Sequence, residues 1–99
     1  RSTTYHVPHL KGILKQAMKK NGFAFVEVIA PCPTLYGRLN RLGDAVKMLE
    51  YYKANSIPIS QVKNPADAIG KIVIGVLHDI EAPEYYQTYQ KIIQLAQQK

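Results

Sequence analysis

The sequence has no tryptophan and only one cysteine, Cys32, in 99 residues. One thiol cannot close an intramolecular disulfide, and small secreted domains usually carry several cysteines, so a reducing, cytoplasmic location is expected. No apolar run approaches the roughly 20 residues that a membrane-spanning helix needs. A basic start followed by an apolar core, which would mark a secretory leader, is also missing. These absences argue against a disulfide-stapled secreted domain and against a membrane protein.

Acidic residues are scarce, with 7 Asp and Glu against 13 Lys and Arg, for a formal charge of +6. The whole excess lies in residues 1–53, because residues 54–99 are neutral overall. A basic half favours nucleic acid, an acidic protein or a phosphorylated ligand as partner, and the sign of the charge does not choose among them. Lys11, Lys15 and Lys19 share one face of the first predicted helix, where a solvated face is the more ordinary interpretation.

The apolar pattern predicts an α/β fold. Apolar residues recur at helical spacing in three segments, about 8–20, 42–52 and 83–97. Two nearly continuous apolar runs, 23–30 and 72–77, are typical of strands buried on both faces of a parallel sheet. The stretch between 56 and 70 is predicted to be irregular.

Two strands of this type do not make a complete sheet. A two-stranded sheet is marginal in water, and strands apolar on both faces need neighbours on both edges. The start at arginine rather than methionine indicates the same thing. We therefore expect residues 1–99 to be a single incomplete domain from the C-terminal part of a longer polypeptide. Unpaired strand edges predict self-association of the isolated fragment.

The loop after the first predicted strand, residues 31–38, is the candidate site, because ligands of open α/β sheets bind beyond the carboxyl ends of the strands. Cys32 lies there between two prolines. Arg38 and Arg41 follow and could hold a carboxylate or phosphate. A lone cysteine is more often a small core residue than a metal ligand or a nucleophile, and all three roles stay open at this point.

The histidines offer little chemistry. His6 and His9 could share a metal ion, but no third ligand is near them in the sequence. His78 is followed directly by Asp79, for which an ordinary hydrogen bond is expected rather than a catalytic pair.

Several segments together resemble one enzyme family. These segments are Arg1–His6, Gly22–Ile29, Pro31–Arg38, Gly70–Gly75, Asp79–Ile80 and Pro83–Tyr85. With them, the chain is similar to the C-terminal part of the β subunit of 2-oxoacid:ferredoxin oxidoreductases, and Leu-Tyr-Gly-Arg after the cysteine is similar to the 2-oxoglutarate branch.

The resemblance implies a fragment of a three-layer fold that binds thiamine diphosphate. It also implies oxidative decarboxylation of a 2-oxoacid to carbon dioxide and an acyl group that coenzyme A takes up, with electrons passing through iron–sulfur clusters to ferredoxin. Thiamine diphosphate, magnesium and a 4Fe-4S cluster would be the cofactors of the whole enzyme. The implied partners are the α and other subunits, ferredoxin, coenzyme A and the 2-oxoacid, without a membrane or a specific nucleic acid.

Within the resemblance, Cys32 matches the fourth cysteine ligand of the cluster nearest the thiamine diphosphate. The three other cysteines and the motif that binds the magnesium diphosphate are not in these 99 residues. The fragment alone is therefore expected to hold no cofactor and to be inactive. Arg38 is a candidate contact for an anionic ligand or partner.

Two other interpretations stay open. A small basic α/β module could bind nucleic acid or an acidic protein through Lys11, Lys15, Lys19 and Lys20. A thiol enzyme could use Cys32 as its nucleophile, although no general base is identifiable in the sequence.

Overall fold

A computed structural model describes residues 1–98. The helices are α1 (Val7–Lys19), α2 (Ala45–Asn55) and α3 (Tyr85–Gln97). The strands are β1 (Ser2–Thr3), β2 (Val28–Ile29), β3 (Ser56–Pro58) and β4 (Ile72–Ile74). The predicted α/β class and all three predicted helices are confirmed. No helix in this part of the chain is long and apolar enough to cross a membrane.

The four strands form two parallel pairs. β1 pairs with β2, Ser2 lying opposite Val28, and β3 pairs with β4 over three residues. Arg1 and Gly75 exchange both backbone hydrogen bonds, at 2.8 and 2.9 Å. Through these bonds, one edge of the chain at the start of β1 contacts the end of β4. The opposite edge of β1 pairs with β2. β1 is therefore the connection between the two sheets.

Helix α1 packs back along β1. Pro8, in its first turn, suits a helix start because its missing N–H would be unsatisfied there in any case. Ser2 and Thr3 are fully buried, and their hydroxyls are hydrogen-bonded to Nδ1 of His9 and of His6, each at 2.8 Å. The two imidazoles thus hold the helix against the strand. No cluster of three potential metal ligands occurs among residues 1–98.

Helix α2 supplies most of the apolar core. It begins at the N-cap Asp44, whose side chain accepts a hydrogen bond from the Lys47 backbone N–H at 3.0 Å. Met48 and Tyr52, one turn apart on this helix, are buried together with Ile74 of β4. The buried apolar core of the described residues consists of these three side chains.

The predicted strands are too long. Of residues 23–30 only Val28–Ile29 form a strand, and Phe23 and Phe25 are 88% and 80% exposed. β1 is only two residues long, so the preceding residues have no strand to pair with. The second predicted strand ends at Ile74, because Gly75 turns the backbone with a φ of +126°. β1 and β3 were not predicted, since strands of two and three residues leave no periodic pattern.

The molecule is extended. Its radius of gyration is 19.3 Å, against about 13 Å for a compact domain of this length. Its accessible surface is 8053 Å², whereas a compact monomer of this mass exposes about 5,700 Å². Much apolar surface of α3 and of residues 23–27 faces solvent.

A substitution at Gly75 tests how much the connection between the two sheets contributes to stability. A methyl group at this position would lie 2.8 Å from Ile59 Cγ2, and the positive φ disfavours any side chain. We expect Gly75→Ala to lower the free energy of unfolding by about 1–3 kcal/mol, measured by urea titration. Gly12→Ala in α1 is the matched control, because a methyl group there meets nothing within 4 Å. It should stabilise by about 0.5–1 kcal/mol, and equal effects of the two variants would contradict this account.

His6 predicts a loss of stability in mild acid. Burial, followed by the charge of His9, lowers the pKa of His6 below its ordinary value. The unfolded chain therefore binds this proton more readily, and stability should fall as the pH drops below about 6.5. His6→Asn preserves a hydrogen-bonding group near the Nδ1 position and does not titrate. Thermal unfolding between pH 7 and pH 5 should show a smaller loss in this variant than in the unaltered protein.

Candidate functional site

Cys32 lies just beyond the end of β2, where the chain enters a single π-helical turn, Pro33–Gly37. The Gly37 N–H donates to the Cys32 carbonyl oxygen at 2.8 Å, which closes the turn. The thiol of Cys32 is exposed. Prolines on both sides restrict the backbone, so the thiol is held at a defined place on the surface.

The turn favours the thiolate form of Cys32. The backbone N–H of Tyr36, then that of Leu35, lowers the pKa of the thiol, and Thr34 adds to the effect. Hydrogen bonds to the charged form of a group always act in this direction. Because the thiolate is the form that binds metals and attacks electrophiles, the turn prepares Cys32 for either role.

Helix α2 packs against the turn through Met48. Gly37 is buried, and a methyl group on it would lie 2.7 Å from Met48 Sδ and 3.4 Å from the Cys32 carbonyl oxygen. A larger residue at position 37 would require the Met48 side chain to move. The prolines around Cys32 are evident in the sequence, but the contact between Gly37 and Met48 is not, because nothing in the pattern pairs these positions.

Arg38 follows directly after the turn and is exposed. Arg41, three residues later, is also exposed and has a φ of 56°. Neither guanidinium takes part in an ion pair within residues 1–98. Arg38 is therefore available to an anion near Cys32.

The other basic candidates divide into two groups. Lys11, Lys15 and Lys19 are exposed and unpaired within the described part of the chain. Lys20 instead donates to Asp79 Oδ1 at 2.6 Å and to the Ile80 carbonyl oxygen at 2.8 Å. The hydrogen bond to Asp79 raises the pKa of Lys20. Lys20 thus fixes the segment after β4 to the end of α1, which removes it from the predicted basic binding surface.

The remaining predicted groups carry no catalytic arrangement. Asp79 bonds Lys20, and the hydrogen bond expected between His78 and Asp79 is not formed. Across residues 1–98, Cys32 has no histidine or carboxylate hydrogen-bonded to its thiol.

An open cleft of about 460 Å³ lies between α1, residues 23–27 and residues 75–80. The Arg1–Glu27 ion pair and Lys20 are among its lining residues. The cations in this lining are already paired with carboxylates. The cleft does not include the Cys32 turn.

The chain matches curated relatives along most of its length. It is 40% identical to the 2-oxoglutarate synthase subunit KorB of Methanocaldococcus jannaschii over 96 residues, 95% of this chain and 36% of that protein. It is 36% identical to the subunit of the same name from Methanothermobacter marburgensis, over 85% of this chain and 30% of the relative. It is 30% identical to the 2-oxoacid:ferredoxin oxidoreductase subunit beta of Saccharolobus solfataricus, over 82% of this chain and 26% of the relative.

No protein-family model and no solved structure matches the chain. The chain spans about a quarter to a third of the length of these curated relatives. The chain belongs to the family of 2-oxoacid:ferredoxin oxidoreductase β subunits. Within that family, the first two relatives carry the name 2-oxoglutarate synthase subunit KorB.

The pKa of the Cys32 thiol can be measured from the pH dependence of its reaction with an alkylating agent. Because backbone N–H groups lower its pKa, alkylation by iodoacetamide should reach half its plateau rate below about pH 8.5, the midpoint for a free cysteine. Gly37→Ala should move the midpoint back upward, since the added methyl group forces the turn away from Met48. A midpoint at or above that of free cysteine in the unaltered protein would contradict the description of the turn.

Proposed function

We propose that this chain is the C-terminal part of the β subunit of a 2-oxoglutarate:ferredoxin oxidoreductase and that Cys32 is one ligand of its 4Fe-4S cluster. The observation that carries the proposal is the exposed thiol of Cys32 on a turn closed by the Gly37 N–H, in a chain that matches β subunits over up to 95% of its length. The whole enzyme would convert a 2-oxoacid and coenzyme A into acyl-coenzyme A and carbon dioxide. Ferredoxin, which the names of two relatives include, would accept the electrons.

The Cys32 turn has the chemistry that a cluster ligand needs. Iron–sulfur clusters are bound by thiolates, normally four, and the backbone N–H groups of the turn stabilise that anion. Hydrogen bonds to ligand sulfur also adjust the reduction potential of a cluster. When bound, the cluster would supply one-electron transfer. The chain itself would position one sulfur and keep it deprotonated.

One thiolate cannot hold a cluster alone, so we infer that three further cysteines come from outside these 99 residues. Thiamine diphosphate and magnesium would also be bound elsewhere, because no phosphate-binding glycine loop occurs in the sequence. The extended shape supports this division. Side chains such as Phe23 and Phe25 are exposed here and would be covered by the rest of a three-layer subunit.

Arg38 is proposed to contact an anionic substrate or partner beside the cluster. It is adjacent to the turn, exposed and without an ion pair in residues 1–98. A guanidinium binds a carboxylate or phosphate through two parallel hydrogen bonds, which suits either kind of anion.

The decisive variant is Cys32→Ala in the complete subunit, co-expressed with its partner subunits without oxygen. We expect one cluster signal to be lost or strongly changed in the low-temperature electron paramagnetic resonance spectrum of the reduced enzyme. Electron transfer from 2-oxoglutarate should be lost with it. Cys32→Ser should retain part of the signal, because a serine oxygen can replace a thiolate at iron.

Leu35→Ala is the matched control for this experiment. Leu35 lies in the same turn with an exposed side chain, and alanine keeps the backbone N–H that faces the thiol. Its spectrum and activity should stay close to those of the unaltered enzyme. An unchanged spectrum and full activity in Cys32→Ala would make Cys32 a packing residue and reject the proposed ligand role.

A further inference from the structure

Two unpaired backbone segments line the cleft beside α1. Residues 23–27 form one wall of this cleft and residues 76–80 form another. Within residues 1–98, neither 23–26 nor 76–80 makes a backbone–backbone hydrogen bond. Phe23 and Phe25, on the first wall, are exposed. Apolar segments with unpaired N–H and C=O groups on both sides of one cleft have the character of strand edges that lack the strand between them.

The pairing of β1 with β2 gives the register on the first wall. Ser2 lies opposite Val28 in a parallel pair, and its N–H donates to the Glu27 carbonyl oxygen at 3.0 Å. Continued backwards by two positions, this register places the residue immediately before Arg1 opposite Val26. The Glu27 N–H, which has no backbone acceptor within residues 1–98, would then donate to the carbonyl oxygen of that residue.

Arg1 gives the register on the second wall. It exchanges both backbone hydrogen bonds with Gly75, which is the pattern of a hydrogen-bonded antiparallel pair. Continued backwards by one position, this register places the residue immediately before Arg1 opposite Val76, in a pair without hydrogen bonds. The two registers agree, because the backbone groups of Arg1 point to the second wall and those of Ser2 to the first. One extended strand therefore satisfies both walls.

We propose that this cleft holds the segment that directly precedes Arg1 in the complete subunit, as an extended strand that lengthens β1 and joins its two neighbours into one sheet. The inference rests on the proposed function in one respect, that this chain is the C-terminal part of a longer subunit. The matched residues make up 36% of the Methanocaldococcus jannaschii relative. The peptide N–H of a longer chain would donate to the Gly75 carbonyl oxygen as the Arg1 nitrogen does here.

A small polar ligand is the poorer occupant of the cleft. Its charged side chains already form ion pairs, Arg1 with Glu27 and Lys20 with Asp79. The groups left without partners on the two walls are those of the backbone, spaced as a strand requires. An added strand satisfies such groups through main-chain hydrogen bonds, which is how extended peptides bind to sheet edges.

A pair of cysteines in the complete subunit, co-expressed with its partner subunits, tests the predicted register. One cysteine replaces the residue immediately before Arg1, and the other is introduced by Val76→Cys. Opposed residues of an antiparallel pair without hydrogen bonds have Cα atoms about 4.5 Å apart, which a disulfide can span. Leu77→Cys is the matched control, because Val76 and Leu77 are similarly exposed, at 39% and 46%. The side chain of Leu77 would point to the opposite face of the sheet.

After mild oxidation, mass spectrometry of the digested, unreduced subunit identifies which cysteines are joined, including any bond to Cys32. We expect an intrachain disulfide with Val76→Cys in a yield at least about ten-fold above that with Leu77→Cys. Equal yields, or no disulfide in either pair, would overturn the inference. A disulfide between two copies of the chain would assign the cleft to a second copy and would overturn it as well.

Hydrogen exchange of the unaltered complete subunit tests the same strand without substitutions. Amides of residues 23–27 and 76–80 should exchange slowly, and fast exchange on both walls would contradict the inference. The cluster experiment has a separate readout. An intrachain disulfide together with an unchanged cluster signal in Cys32→Ala rejects only the ligand role. Loss of that signal without the disulfide rejects only the strand.

Discussion

The arrangement depends on β1, a strand of two residues. Its backbone is bonded to β2 along one edge and, through Arg1, to Gly75 at the end of β4. Ser2 and Thr3 are fully buried, and their hydroxyls are hydrogen-bonded to His9 of α1 and to His6, the N-cap residue of that helix. Without it β2 would have no strand to pair with, and only the two-stranded sheet of β3 and β4 would remain, which alone is marginal in water.

The burial is concentrated around this strand and around one face of α2. Outside these places the chain exposes apolar side chains that helical and strand patterns would ordinarily cover, including most of the large residues of α3. An apolar face of this kind is stable only when something lies against it. The extended dimensions agree with these uncovered apolar faces, and so does the match to only about a third of the length of longer relatives. The described residues form two small sheets and three helices and have little core of their own.

Helices were predictable because each carries its own signal: an apolar stripe, a proline or aspartate at the start, and a glycine near the end of α1. The strands are less predictable from the sequence. Residues 23–30 have strand composition, but strand formation needs a pairing partner, and β1 offers only two residues. The Cys32 loop is identifiable in the sequence by its place after a strand and by family resemblance. Its controlling contacts, the backbone N–H groups of Leu35 and Tyr36 and the packing of Gly37 on Met48, are three-dimensional and leave no pattern in the sequence.

The packing of Gly37 against Met48 has a consequence for biosynthesis. The turn that presents Cys32 is braced by a residue sixteen positions later, and β1 is secured only when Gly75 is available. During synthesis, Cys32 therefore leaves the ribosome before α2 can pack against its turn. The geometry around that sulfur matures only after α2 has emerged and folded. Any chemistry that needs the thiol at this defined place must therefore wait until α2 has folded against the turn.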